Sequence, residues 1–405
     1  MQQTTPSLNM SRTRARLCIV FLVLSGFSLG VSEFVVIGIE PDIAEYFNIP
    51  LARAGELISF FSVAYALCTP VLALTTGRFH RFTLLIAYSI IFCAANLFAI
   101  IAPSFEMLLF SRVLLGAVSG ALLAVGITYI PELVGIEKTP WTISIVYAAF
   151  SVAMVLTTPL TKIVADLLTW ELAFWGALIL AIASCLALIC VLPHGGSTDV
   201  PATLRGQLPM LRDPRIICGA LVFMFGVGAV YVLYGYITPY LEDVLFLDTA
   251  GTSTVLMCYG CACFISNLLS GWCSQRFGMK GLIPVFLCQA AALAGLAVVG
   301  SATAPAIAII IVIALTMYVV STPCITMFMF VARTEYPEAA TLAASLEPMS
   351  FNIGIAFGTA VGGMVVSNIG IASAGFVGGA LSLVACTLVI ITIRLDQKAR
   401  SRIKH

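Results

Sequence analysis

Glu33 and Arg112 are charges set deep in apolar stretches. There an ionised side chain costs several kcal/mol unless it is paired or hydrated. Each lies about six residues from one end of its stretch, roughly 9 Å at helical rise. Opposite signs at equal depth suggest that they meet, directly or through water. A carboxyl in such a place can exchange a proton, because a guanidinium favours its charged form and burial its neutral form. A permanent salt bridge is the other reading.

Other residues could also do chemistry. Lys162 has Asp166 one turn on, at i+4, and can snorkel toward the membrane surface. Glu347 precedes Pro348, which frees a carbonyl and kinks a helix, so it is a second candidate for proton or cation binding. A surface position near one leaflet is its alternative. Tyr231, Tyr234, Tyr236 and Tyr240 crowd the end of one apolar run. They offer stacking and hydrogen bonds to an amphipathic organic ligand. For Tyr236 and Tyr240 an interfacial aromatic belt fits equally well. Asn352, Thr128, Tyr129 and Asn267 are polar residues suited to a cavity or to gluing helices together.

Enzyme chemistry has no comparable signal. The chain lacks Gly-x4-Gly-Lys-Ser/Thr and His-Glu-x-x-His patterns, and Gly26-Phe27-Ser28-Leu29-Gly30 lies within an apolar run rather than at a nucleophile elbow. His80, His194 and His405 lie in loops or at the terminus, and the 13 cysteines lie in apolar runs. Cys258, Cys261 and Cys263 have no His or acid nearby, so packing rather than metal ligation is expected. The expectation is no catalytic residue, no metal and no cofactor, with an ion gradient as the energy source.

These residues need elements that hold them in lipid. The 405 residues are 60% hydrophobic and only 10% charged, against about 25% charged in soluble domains. A net charge of +1 without a basic tract speaks against nucleic acid. Runs of about 20 apolar residues span a bilayer. Twelve fit: 17–39, 52–76, 83–102, 106–130, 141–165, 171–192, 215–239, 250–273, 281–301, 305–331, 341–366 and 370–393. The first is too long for a signal peptide and is read as a retained helix. Residues 1–192 and 215–405 then form two six-helix bundles, joined by a polar linker over 193–214.

Charge placement agrees. With an even helix count both termini share one side, and that side carries 17 of the 20 Lys and Arg residues. The positive-inside rule makes it cytoplasmic. The opposite loops read as acidic: Glu40, Asp42, Glu45 and Glu56, then Glu242, Asp243 and Asp248.

The halves repeat. Pro41 returns as Pro239, a lag of 198 positions, and Gly77-Arg78-Phe79 falls on Gln275-Arg276-Phe277. At this lag Tyr231 occupies the place of Glu33. A duplicated apolar unit is the signature of a carrier with a substrate path between its halves. Gly26-x3-Gly30, Gly116-x3-Gly120 and Gly354-x3-Gly358-x3-Gly362 allow close helix approach, as packing or as a moving interface.

Specific motifs add a resemblance. The stretch from Gly30 through Glu33 and Gly38 to Pro41 and Ala44 resembles the first-helix motif of the major facilitator superfamily. Within that superfamily it is similar to the twelve-helix drug:proton antiporters, in the branch of sugar and purine-nucleoside efflux proteins. Arg112-x3-Gly116-x3-Gly120 resembles the fourth-helix motif, Trp170 to Trp175 the opening of helix six, Tyr236 to Leu241 the end of helix seven, and Phe351 to Gly363 helix eleven. The loop after helix two usually reads Asp-Arg-x-Gly-Arg. Here Gly77-Arg78-Phe79-His80-Arg81 lacks the carboxylate, and Gln275 stands at its repeat position. Of the antiporters' helix-five motif only Pro159 survives.

The resemblance implies two pseudo-symmetric six-helix bundles, an all-α membrane fold, with helices one and four facing a central cavity. It implies Arg78, Arg81, Arg276 and Pro159 as gate and motif residues. It implies a monomeric carrier of the bacterial inner membrane with both termini cytoplasmic. The expected function is proton-coupled efflux of a small organic solute by alternating access. A facilitated uniporter or importer is the runner-up. A channel would want rings of pore residues and oligomeric symmetry, and a membrane receptor is a further alternative.

Overall fold

Apolar runs this long must satisfy every backbone group within themselves, which in lipid leaves the helix. The computed structural model describes residues 11–76, 79–135, 139–193, 208–336 and 339–403, and these are almost entirely helical. The first six long helices are α1 (Arg12–Tyr46), α2 (Glu56–Thr76), α3 (Arg81–Ile100), α4 (Phe105–Thr128), α5 (Thr139–Leu167) and α6 (Glu171–Val191). The second six are α7 (Pro214–Tyr234), α8 (Thr249–Phe277), α9 (Leu282–Val299), a broken α10 (Thr303–Met317, then Ser321–Glu335), α11 (Ala340–Asn368) and α12 (Ala374–Ile403). Among the described residues eleven helical stretches are long and apolar enough to cross a membrane, and one of these, Thr249–Val299, contains both α8 and α9. Most of the linker over 193–214 lies outside the described residues.

Local chemistry sets the helix ends. Ser104 caps α4 by accepting from the Met107 N–H, and Asp248 caps α8 by accepting from Gly251. Asp213 caps α7, with Pro214 in the first turn where no N–H is needed.

Helices α1, α5 and α6 pack together, as do α2, α3 and α4. The second half repeats this: α7 lies against α11 and α12, and α10 against α8 and α9. Across the seam α2 meets α11 and α5 meets α8. The glycine stripes serve packing inside each half. Gly26 and Gly30 lie against Val146, Phe150 and Ala153 of α5. Gly354, Gly358 and Gly362 lie against the α7 backbone at Phe223, Gly228 and Val232.

We call the end bearing Arg12 and Ile403 the termini face and the other the far face. One buried cluster joins Val35, Val36 and Ile37 of α1 to Val230 through Leu233 of α7, so near the far face the halves share a core. A separate cluster around Cys18, Leu22, Tyr88 and Phe92 belongs to the first half alone.

One expectation is corrected here. Glu40 and Asp42 are not loop acids, because α1 continues past Pro41 to Tyr46, and Glu40 is 0% exposed. The proline leaves its mark as a local kink, with Ile39 at φ −124°.

Candidate functional site

Arg112 is fully buried at the meeting of α1, α2 and α4. Its guanidinium donates to the main-chain carbonyls of Ser32 and Glu33, the latter at 2.9 Å, and Nε reaches the Leu57 carbonyl at 3.4 Å. The Phe61 ring lies beneath it, 4.5 Å to the centroid. The expected side-chain pair is thus replaced by bonds to backbone, which fix the cation without consuming the Glu33 carboxylate. That carboxylate is half-buried and stays within electrostatic reach of the guanidinium. Next to it, Ser32 donates to the Asn96 side-chain oxygen at 3.1 Å.

The second half faces this corner with rings. Tyr231 meets Tyr234 edge-on at 5.3 Å, and Tyr234 stacks on Tyr259 at 4.5 Å and 8°. Tyr318 stacks on Phe351 at 5.1 Å and 9°. Glu33 lies within electrostatic reach of Tyr65, Tyr231, Tyr234 and Tyr318. Glu347 lies near Tyr65, Tyr147 and Tyr318. Tyr147 is 44% exposed. The arrangement brings two carboxyls and a group of largely buried rings together where the halves meet. It can bind an amphipathic solute and hold a titratable proton.

Tyr318 owes its position to the break in α10. Three residues, Tyr318 to Val320, leave the helix, and α8 satisfies their backbone. Ser266 accepts from the Tyr318 N–H at 2.9 Å. Ser270 accepts from the Thr322 N–H at 2.9 Å and donates to the Val319 carbonyl at 3.0 Å.

The far face is bolted shut across the seam. Lys162 of α5 pairs with Asp166 at 2.8 Å and with Glu242 of the second half at 2.8 Å. Burial raises the Glu242 carboxyl above its ordinary value, even against the neighbouring lysine. Thr249 donates to Asp166. Pro41 cannot donate to the Ile37 carbonyl, and Thr238 of the second half donates there instead at 2.8 Å. The Tyr236 ring fills the space above Gly55 and Gly363, which a larger residue would occupy. Deeper in, Asn267 donates to Ser151 at 3.1 Å and Tyr318 to the Met154 sulfur at 3.3 Å.

A model of the Major Facilitator Superfamily matches residues 22–346, most of the chain. The chain belongs to this superfamily. It is similar to the Bacillus subtilis (strain 168) protein named "Uncharacterized MFS-type transporter YtbD", 27% identical over 378 residues, covering 93% of this chain and 95% of that one. It is also similar to "Inner membrane transport protein YdhP" of Escherichia coli (strain K12), 27% identical over 377 residues, covering 92% and 95%. Among solved structures, a bacterial homolog of the human lysosomal transporter Spinster, inward-facing and unoccupied, superposes with a TM-score of 0.68 at 16% identity over 95% of this chain and 97% of that one. That likeness is one of fold. The superfamily member described here is a multi-pass secondary transporter for small molecules within the membrane, not an enzyme.

Of the residues singled out in the sequence, Glu33 lies within electrostatic reach of Arg112, Tyr231 and Tyr234, and Glu347 shares the neighbours Tyr65 and Tyr318 with it. Asn352 is buried nearby on α11 and donates to the Pro348 carbonyl at 3.1 Å. Two cavity candidates sit elsewhere. Lys162 belongs to the far-face seam, because two acids hold its amine there. Thr128 ends α4 and turns its carbonyl toward Arg81 at 3.0 Å. Tyr236 and Tyr240 form no interfacial belt, since both are buried. Arg81 is buried, pairs with Glu132 at 2.6 Å and lies over Tyr129 at 4.6 Å. The acid partner of Arg81 is thus Glu132, which follows α4, and not a residue of the helix-two loop. Pro159 is buried in α5, and Arg276 is exposed at the end of α8. Arg78 falls outside the described residues. Sequence reasoning missed Tyr65, Tyr147, Tyr259 and Tyr318. A phenol within an apolar run was the available signal.

Proposed function

We propose that this transporter exports a small amphipathic organic solute in exchange for protons, by alternating access, with its termini face cytoplasmic. One observation carries the reading: Arg112 spends its hydrogen bonds on main-chain carbonyls, leaving the Glu33 carboxylate near a cation but not bound to it. A carboxylate so placed binds a proton or a cationic solute group without first breaking an ion pair. The tyrosines opposite supply stacking surface for a drug, sugar or nucleoside-like ring. The excess of Lys and Arg on the termini face supports the orientation, and the name of the relative YdhP supports the inner membrane.

The test uses purified protein in proteoliposomes with a trapped pH dye. Ethidium, inosine and lactose are offered in turn under an imposed pH gradient. Coupled exchange dissipates the gradient only when a transported solute is present, and Glu33→Gln abolishes that response. Solute that merely equilibrates, with no proton movement in the wild type, overturns coupling in favour of a uniporter.

A further inference from the structure

One cavity lies away from the seam between the halves. It lies at the termini face of the second half, among α8, the turn Gly278–Gly281, α9, α10 and α12, with a volume of about 1140 Å³. The repeat explains its existence. In the first half the corresponding place is filled by a polar lock: Arg81 paired with Glu132 and laid on Tyr129. The 198-residue lag carries Arg81 to Met279, Tyr129 to Met327 and Glu132 to Phe330. All three line the cavity. Loss of the lock leaves an apolar chamber where its partner half is plugged.

The mouth has a definite chemistry. Arg276 and Lys280 stand on the rim, both exposed. Arg81, Lys162 and Arg215 all pair with acids, but neither rim residue forms an ion pair among the described residues. Beside them Trp272 is 55% exposed and Phe277 50%, in edge-on contact at 5.5 Å. Exposed Leu268 and Leu269 continue this apolar surface along α8 toward the membrane interior. Asp396 also lines the cavity but has Arg215 at 3.9 Å, so two cations without an ion pair among the described residues stand above an apolar chamber, a match for an anion with a hydrocarbon tail.

We infer that this cavity holds an anionic phospholipid from the leaflet on the termini side, its phosphate on Arg276 and Lys280 and an acyl chain against Met279, Met327 and Phe330. The lipid braces the loop between α8 and α9 as Arg81 braces that between α2 and α3. Transport need not be assumed for this.

Native mass spectrometry of the full chain in detergent tests it, with dioleoyl phosphatidylglycerol and dioleoyl phosphatidylcholine titrated separately. The anionic lipid binds at least tenfold more tightly to the wild type. Arg276→Ala with Lys280→Ala weakens it about thirtyfold, at about 1 kcal/mol per basic residue near an anionic surface, and leaves phosphatidylcholine binding unchanged. Both rim residues are exposed, so this variant keeps the core intact, and its circular dichroism spectrum checks that. Met327→Trp, which fills the chamber, weakens the lipid without touching the cations. Equal affinity for the two lipids, or an unaltered double variant, overturns the inference. So does glycerol 3-phosphate binding as tightly as the lipid, since the apolar chamber would then contribute nothing.

Discussion

The two halves share a helix frame and differ in what they place on it. At one repeat position the first half has Glu33 and the second Tyr231; at another the first has Arg112 and the second Ile310. The cation is held by carbonyls of two neighbouring helices, whereas Ile310 sits in a plain apolar core. The same contrast recurs at the termini face, where Arg81, Tyr129 and Glu132 oppose Met279, Met327 and Phe330. Helix packing fixes the frame, and a charge persists inside it only where backbone or a counter-ion is prepared for it. At these positions the first half carries charge and the second carries apolar or aromatic side chains.

Making the halves alike is the severest way to break this contrast. Tyr231→Glu puts a carboxyl into a fully buried site without the Arg112 arrangement, and the expected loss is about 3–5 kcal/mol. Low yield and a large fall in the unfolding temperature in detergent would report it. A variant as stable as the wild type would mean the second half tolerates charge equally. Arg112→Met works from the other side. It leaves the bonded carbonyls of Ser32, Glu33 and Leu57 without their donor, at a cost of at least about 2 kcal/mol. Arg112→Lys rescues little, because one ammonium cannot reproduce the fork that spans two helices. Thermal unfolding of the pair decides whether geometry or charge matters.

Smaller effects sharpen the picture. Lys162→Met removes the cation shared by Asp166 and Glu242 and strands two acids at the far-face seam. Spin labels at Asn48 and Asp243 should show a longer and broader distance distribution, by several ångströms, as that face opens. At the termini face Arg215 gathers Asp213 and Glu335 at 2.7 and 2.6 Å. Burial pushes the Asp213 carboxyl up, but its bonds to Arg215 outweigh that and leave it below the usual value. Its contribution is present above the ordinary carboxylate range and lost as pH falls through the lowered value. An Asp213→Asn variant should therefore differ from the wild type at neutral pH, by about 1 kcal/mol, and converge with it in strong acid. The least effect belongs to Tyr231→Phe. The Tyr231 hydroxyl is buried without a hydrogen-bond partner among the described residues, so its loss should be neutral within about 0.5 kcal/mol or slightly stabilising.

Much of this was legible from residue order. Apolar run length announces a crossing, and the lag that equates Pro41 with Pro239 also equates the two termini-face loops. Lys162 and Asp166 were readable because i and i+4 share a helix face. Bonds made across the seam were not. Nothing local marks Thr238 as the donor to Ile37, or Glu242 as the second acid on Lys162. Glu40 was misread because acids around a proline look like a loop. The proline is tolerated in α1 because the carbonyl it orphans finds a hydroxyl 201 positions away. Glu132 escaped notice because it lies beyond the end of α4, 51 positions from the Arg81 it pairs with.

Ser266 and Ser270 tie the interrupted turn of α10 to α8 by three hydrogen bonds, two of them to amide protons. That stitching makes a hinge site into a splice. However the carrier rocks, these two helices must swing as one piece, and the amides of Tyr318 and Thr322 should stay among the slowest to trade hydrogen for deuterium. The mobility needed for transport then has to come from the seam, not from the break.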